Sequence, residues 1–251
     1  MLMVQKWKLI YRPYCRPHKH GIYISNVCIL NNFTNCDKMY MHKCICIGDS
    51  MIVENYEGYF VSVDGPNGAG KSTLIEHLKY ELKMKGYPVY VTKEPTDSIL
   101  GNFVREYAEH NEGISLACLV AADRYEHIQS EIMPMLKKGY IVISDRYILS
   151  SLILQCMDNV DVDFILSINS QIILPNLQIA LYANSDVLQE RLLKRDTLTR
   201  FEKENSSKRE LTFMVSAVEK MKKMGVDVMC IDNTSNLEEI VGRIISHIST
   251  D

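Results

Sequence analysis

The stretch Gly65-Pro66-Asn67-Gly68-Ala69-Gly70-Lys71-Ser72 carries the sharpest chemical signal in the chain. It spells G-x4-G-K-[ST] and follows a short β-rich run, Tyr59–Val63, through Asp64. Glycines at Gly65, Gly68 and Gly70 free the backbone to take positive φ and to press N–H groups against phosphate oxygens. After Ser72 and Thr73, the leucines Leu74, Leu78 and Leu82 recur every fourth residue, the mark of an amphipathic helix. Such a helix points its positive end at the same anion. Lys71 then reaches the β- and γ-phosphates, and Ser72 offers its hydroxyl to Mg²⁺. Gly65 to Thr73 therefore reads as a site for ATP with Mg²⁺. The motif names the phosphoryl donor and leaves the acceptor open.

Three further stretches bear on the acceptor. Thr92-Lys93-Glu94-Pro95-Thr96-Asp97 follows a second β-rich run, with Gly101 and Arg105 beyond it. Ala121-Ala122-Asp123-Arg124 sits in a helical stretch. Asp145-Arg146-Tyr147, followed by Ser150-Ser151 and Gln155, ends a third β-rich run. Any one of these arginines alone is better explained by a surface ion pair. Arriving together at strand ends beside a phosphate loop, they read as a phosphate-binding cluster. Three arginines suit an acceptor that already bears phosphate better than a free nucleoside. An intact Lys71, Ser72, Asp145 and Arg146 set argues against a protein that binds ATP without turnover.

In this order, after GPNGAGKS, the stretches resemble the thymidylate kinase family, whose spellings are T-R-E-P, A-A-D-R, D-R-Y-x-x-S-S and, near the end, D-R-F-E. The resemblance covers residues 59–251. It implies phosphorylation of a nucleoside monophosphate, dTMP to dTDP, by a homodimeric cytoplasmic enzyme. It also implies that Arg146 lies between donor and acceptor phosphates and that Asp145 holds a Mg²⁺-bound water. Arg105 would bind the acceptor phosphate, Arg124 would reach the edge of the base, and Glu94-Pro95 would shape the acceptor pocket beside Ser151 and Gln155. The charged segment from Arg191 to Glu210 corresponds to a mobile lid. With no arginine inside the phosphate loop, Arg195 or Arg200 is expected to act on the transferring group; Lys203, Lys208 and Arg209 read as a solvated helix face.

The chain departs from the family pattern at several positions. Lys93 replaces an arginine, Asn67 stands where Asp or Glu is usual, and Thr199 replaces the lid aspartate. Val120 occupies the place of a phenylalanine that stacks on thymine, and Leu154 that of a tyrosine near the 2′ carbon of the sugar. The last two remove aromatic rings from the acceptor pocket and leave open a different or modified nucleotide as acceptor.

The elements that must hold these residues alternate β-rich and helical stretches. They predict an α/β P-loop NTPase fold, a five-stranded parallel sheet flanked by helices with a short helical lid. The strands are Tyr59–Val63, Val89–Thr92, Ile141–Ser144, Gln178–Tyr182 and Val228–Ile231, each read as buried on both faces. The first helix should end at Gly86, with Pro88 beyond, and a long helix should run over 115–138 with a bend at Pro134.

Composition is ordinary: 251 residues, 47% hydrophobic, 24% charged and a formal net charge of -3. That balance gives no support for a nucleic-acid or membrane partner. No run of 18 apolar residues marks a membrane helix, and Gln5, Lys6 and Lys8 interrupt the region a signal peptide needs. Residues 1–50 stand apart. They hold seven Lys and Arg against two Asp, a formal +5, and five of the eight cysteines. Cys36, His42, Cys44 and Cys46 match no zinc-ligand spacing. Residues 1–50 are therefore expected to be an unstructured or untranslated extension, with Met51 as the start and Gly48-Asp49 encodable as a ribosome-binding site. Residues 51–251 are the kinase-like domain.

Overall fold

The computed structural model describes residues 23–28, 41–47, 50–51, 56–194, 199–202, 206–233 and 236–250. The chain divides into two units, residues 1–55 and 56–251. In the first, β1 (Tyr23–Cys28), β2 (Met41–Ile47) and β3 (Ser50–Met51) form an antiparallel sheet in that order. Tyr23 lies opposite Cys46, and Cys46 opposite Met51. The expectation of no regular structure before residue 51 thus meets a three-stranded ladder. Its pairing is made by backbone groups that leave no period in the side chains. Met51 pairs within this sheet, so the division falls after Asn55 rather than after Ser50. Cys36 lies outside the described residues.

The second unit carries β4 (Tyr59–Asp64), β5 (Val89–Lys93), β6 (Ile141–Asp145), β7 (Leu177–Tyr182) and β8 (Asp227–Asp232). All pair in parallel in the order β5-β6-β4-β7-β8. The five predicted strands are all present. The central β4, β6 and β7 are almost wholly buried, as a parallel sheet covered on both faces requires. The edge strands β5 and β8 are mostly half-exposed, which corrects the reading of all five as doubly buried. An edge strand lacks a neighbour on one side, so even a Val-rich run stays partly in solvent.

Helices cover the sheet: α1 (Lys71–Met84), α2 (Ile99–His110), α3 (Ile114–His127), α4 (Met133–Lys137), α5 (Ile148–Met157), α6 (Val162–Ile168), α7 (Ser185–Leu193), α8 (Ser206–Lys223) and α9 (Leu237–Thr250). The apolar stripe of α1, Leu74, Leu78 and Leu82, is fully buried with Val61, Val63, Ile179 and Ile244 in one core. The predicted helix over 115–138 is interrupted. Between α3 and α4 the residues Ile128–Ile132 form a π-helical turn, with Pro134 in the first turn of α4. Proline offers no N–H and its ring crowds the carbonyl four residues back, so a widened turn ahead of it takes up the mismatch. Where a helical lid is expected, the structure has the end of α7, one 3₁₀ turn at Arg200–Glu202 and the start of α8.

Strand register fixes the site. Val63 of β4 lies opposite Asp145 of β6, which in turn lies opposite Lys93 of β5. Three chain crossings therefore leave the sheet side by side at its carboxyl edge, where ligands of open parallel sheets bind.

Candidate active site

The phosphate loop leaves β4 at Gly65 and enters α1 at Lys71. Gly65 owes its identity to a close approach. Its φ of 159° is positive, as expected, and a Cβ there would sit 2.1 Å from the Leu181 carbonyl oxygen. Gly70 does take the left-handed conformation, φ 89°, at the helix N-cap. Two side chains brace the loop from outside: Arg191 Nη1 donates to the Gly68 carbonyl at 3.1 Å, and Asn233 Nδ2 donates to the Ala69 carbonyl at 2.6 Å.

Lys71 folds back inside the loop, donating to the Gly65 and Pro66 carbonyls at 3.0 Å each. Burial, and then the neighbouring Arg146 charge, push its ammonium down to about 7. At the mouth of α1, Ser72 Oγ lies 3.4 Å from Asp145 Oδ2, while Asp145 Oδ1 is buried with no partner among the described residues. A hydroxyl and a carboxylate with an unsatisfied oxygen form the oxygen-rich set that Mg²⁺ requires.

Arg146 spans the two sides of the site. Its Nη2 donates to Asn67 Oδ1 in the phosphate loop at 2.7 Å, and its Nη1 donates to Ser150 Oγ on α5 at 3.2 Å. The backbone is forced to carry it there: φ is 75°, held by its N–H to the Val63 carbonyl and by Ser144 Oγ donating to its own carbonyl. Such strain in a non-glycine residue, of order 1–3 kcal/mol, persists only where the surroundings over-determine it. Asp64 supplies much of that constraint. This fully buried carboxylate accepts the N–H groups of Tyr147 and Ser150 on one oxygen, at 2.9 Å each, and Gln178 Nε2 on the other.

On the acceptor side, Arg124 is 1% exposed. Its Nε and Nη2 grip Glu94 Oε2 at 2.9 and 2.8 Å, Nη2 also donates to Ser151 Oγ, and Nη1 donates to Asn169 Oδ1. Of five guanidinium N–H groups, one on Nη1 remains for a ligand. Burial disfavours the Arg124 charge, but Glu94 outweighs it and holds the group above its ordinary value. His127 completes the anchor, one ring nitrogen on Thr92 Oγ1 at 2.7 Å and the other on Glu94 Oε1 at 3.2 Å. The Glu94-Pro95 peptide is cis, and Arg105 donates from Nη1 to the Pro95 carbonyl and from Nη2 to Asp97 and Asn102. Gln155, one turn beyond Ser151 on α5, has a buried Oε1 with no partner among the described residues. Val120 and Leu154 are half-buried, one turn from Arg124 and from Ser151 respectively. The Arg124–Ser151 bond joins α3 to α5, so both departures flank that junction.

The structure does not bring Arg200 to the phosphate loop. Its guanidinium forms a two-bond pair with Asp158, 2.8 Å on each side, and its Nε donates to the Ala108 carbonyl. Arg195 and Lys203 lie outside the described residues. In sequence Glu210 is only one residue of a charged segment, yet it is 1% exposed and inside the site. Its Oε2 accepts the Asn67 N–H at 3.1 Å, and its Oε1 is buried with no partner among the described residues. Burial pushes its carboxyl up, against the opposing pull of Arg146, the Asn67 N–H and Lys71. Arg191, Asn233 and Asp64 were likewise not assigned a role from sequence.

A family model described as thymidylate kinase matches residues 63–244. The chain belongs to the thymidylate kinase family. Among similar proteins, a probable thymidylate kinase of Caldivirga maquilingensis is 44% identical over 148 residues, 57% of this chain and 72% of that protein. A thymidylate kinase of Caldicellulosiruptor saccharolyticus is 33% identical over 201 residues, 76% of this chain and 98% of its own. The solved thymidylate kinase of Candida albicans shares the fold, with a TM-score of 0.64 at 19% identity over 78% of this chain and 93% of that one. Family membership makes this protein a nucleoside monophosphate kinase with a P-loop NTPase fold. Among the described residues, no helix is long and apolar enough to cross a membrane.

Proposed function

We propose that this kinase transfers the γ-phosphoryl group of ATP to dTMP, giving ADP and dTDP. The observation that carries the reading is the span of Arg146, from Asn67 on the donor loop to Ser150 on the acceptor helix. A guanidinium there holds both phosphates in line and spreads charge off the transferring group. An acceptor phosphate oxygen attacks the γ-phosphorus, the bond to the β,γ-bridging oxygen breaks, and its electrons stay on ADP. Lys71 swings from the loop carbonyls to the leaving oxygen and neutralises it. Ser72 Oγ and Asp145 are the groups that would hold Mg²⁺, which screens the phosphate charges when bound. Arg105 holds the acceptor phosphate, while Arg124 and Gln155, whose buried Oε1 has no partner among the described residues, bind the nucleoside. Of the two lid arginines, Arg195 acts on the transferring group, because Arg200 would first have to leave Asp158.

Val120 and Leu154 support a second feature, a pocket less selective for thymine and for deoxyribose than an aromatic-lined one. Homodimer formation is supported by Ile99 and Phe103, which stand 91% and 48% exposed one turn apart on α2. A cytoplasmic location accords with the reaction's need for ATP. An ADP-release assay over dTMP, dUMP, UMP and the purine monophosphates tests the acceptor. Turnover with dTMP is expected, and its absence alongside turnover of another nucleotide would reassign the substrate.

A further inference from the structure

Glu210 is a buried carboxylate in the phosphate site that the reaction above does not use. It stands on α8, 143 residues from the loop it touches, and nothing in a cradle built for polyanion calls for a buried carboxylate. Its environment is cationic: Arg146 and Lys71 both bear on it, while Glu202 is the acidic group that opposes them. One oxygen takes a backbone N–H of the phosphate loop, and the other is buried with no hydrogen-bond partner among the described residues. An acceptor-only group that accepts a loop N–H beside a lysine and an arginine does, with one charge, what a phosphate does with several.

We propose that Glu210 is an internal anion competing with the donor's phosphates for this cradle: it holds the empty site together and weakens the grip on nucleotide, favouring product release. The inference rests on the ATP-site reading. Its energetic consequence is repulsive. Incoming phosphates bring several negative charges toward a carboxylate that α8 cannot easily withdraw, because α8 packs along α5.

Glu210→Gln isolates the charge. The amide oxygen still accepts from Asn67, the shape is kept, and only the negative charge goes. Titrating the full chain calorimetrically with ATP and with inorganic tripolyphosphate, both without Mg²⁺, should show the variant binding roughly tenfold tighter, the factor that unit charges about 10 Å apart give at an effective dielectric of about 20. Steady-state KM for ATP should fall, and kcat should fall or hold as ADP leaves more slowly. A residue needed only for folding would move affinity the other way. Glu210→Leu removes the same charge without an amide, and whichever variant keeps the wild-type circular dichroism spectrum reads the effect. Unchanged or weaker binding by the folded variant overturns the inference while leaving the ATP site intact. A wild-type chain that binds neither probe overturns the ATP-site reading itself.

Discussion

Lys71 sets the pH behaviour of the site. Without nucleotide its ammonium is buried against Arg146 and pushed down to about 7, whereas in the unfolded chain it titrates near 10.5. Between those values the unfolded state binds more protons, so folding stability from this residue rises with pH above about 7. Below that, the folded protein bears the full cost of a buried charge. Phosphates reverse the balance by favouring the charged form. ATP binding at pH 8 is therefore expected to take up close to one proton, seen as a heat that depends on buffer ionisation enthalpy in calorimetry. Proton release, or uptake that survives Lys71→Ala, would contradict this placement of the lysine. Lys71→Ala should also abolish turnover in a folded protein; more than about a tenth of wild-type activity would refute the loop assignment. Arg195→Ala should lose on the order of 10³-fold in kcat, as arginines on a transferring phosphoryl group do. Arg200→Ala should instead lower stability by leaving buried Asp158 unpaired, with a far smaller effect on kcat. Equal kcat losses in the two variants would reject the division of roles.

At the scale of elements, α5 is the hinge between fold and chemistry. It carries Ser150, Ser151 and Gln155, and its first turn is fixed by Asp64 at the end of β4. Replacing Asp64 by Ala strands two buried N–H groups, each costing about 1–3 kcal/mol. A loss of about 2–6 kcal/mol, or at least roughly 4–8 °C in Tm, is expected by thermal unfolding, together with loss of turnover as Arg146 drifts from Asn67. A small Tm change with activity retained would show that the strand end needs no such clamp. The proposed pocket places specificity at the α3–α5 junction. Stacking on an aromatic ring contributes roughly 1–3 kcal/mol per base, so Val120 should cost dTMP about five- to a hundredfold in binding. Val120→Phe with Leu154→Tyr should sharpen kcat/KM for dTMP over UMP and the purine nucleotides. A wild type that already prefers dTMP a thousandfold, unimproved by the double substitution, would sink the pocket argument.

Over the whole molecule, the five-stranded sheet and its core lie within residues 56–251. Removing residues 1–55 is expected to change neither Tm nor turnover appreciably. A fall of several degrees on truncation would show that the first unit supports the second. If the exposed apolar turn of α2 is a subunit contact, Phe103→Lys should shift the mass measured by light scattering from dimer to monomer. A monomeric wild type would remove the proposal.

The features legible without a fold are those written in consecutive residues. The phosphate loop, the five parallel strands, the stripe of α1 and the D-R-Y corner are each specified by local spacing, because strand and helix periods and turn glycines act over a few residues. Those signals placed Lys71, Ser72, Asp145, Arg146 and Arg124 at strand ends or helix faces before any coordinates. Pairings across long separations are visible only once the chain is folded. Arg191 and Asn233 brace a loop 123 and 164 residues away, and Arg200 is bound to Asp158 across 42. Glu210 illustrates the physical reason. In a charged helical segment a carboxylate reads as solvent-facing, since burying an unpaired charge is costly. Its burial became tolerable only because the folded chain brings the Asn67 N–H, Arg146 and Lys71 to the same place, and no local pattern records that meeting.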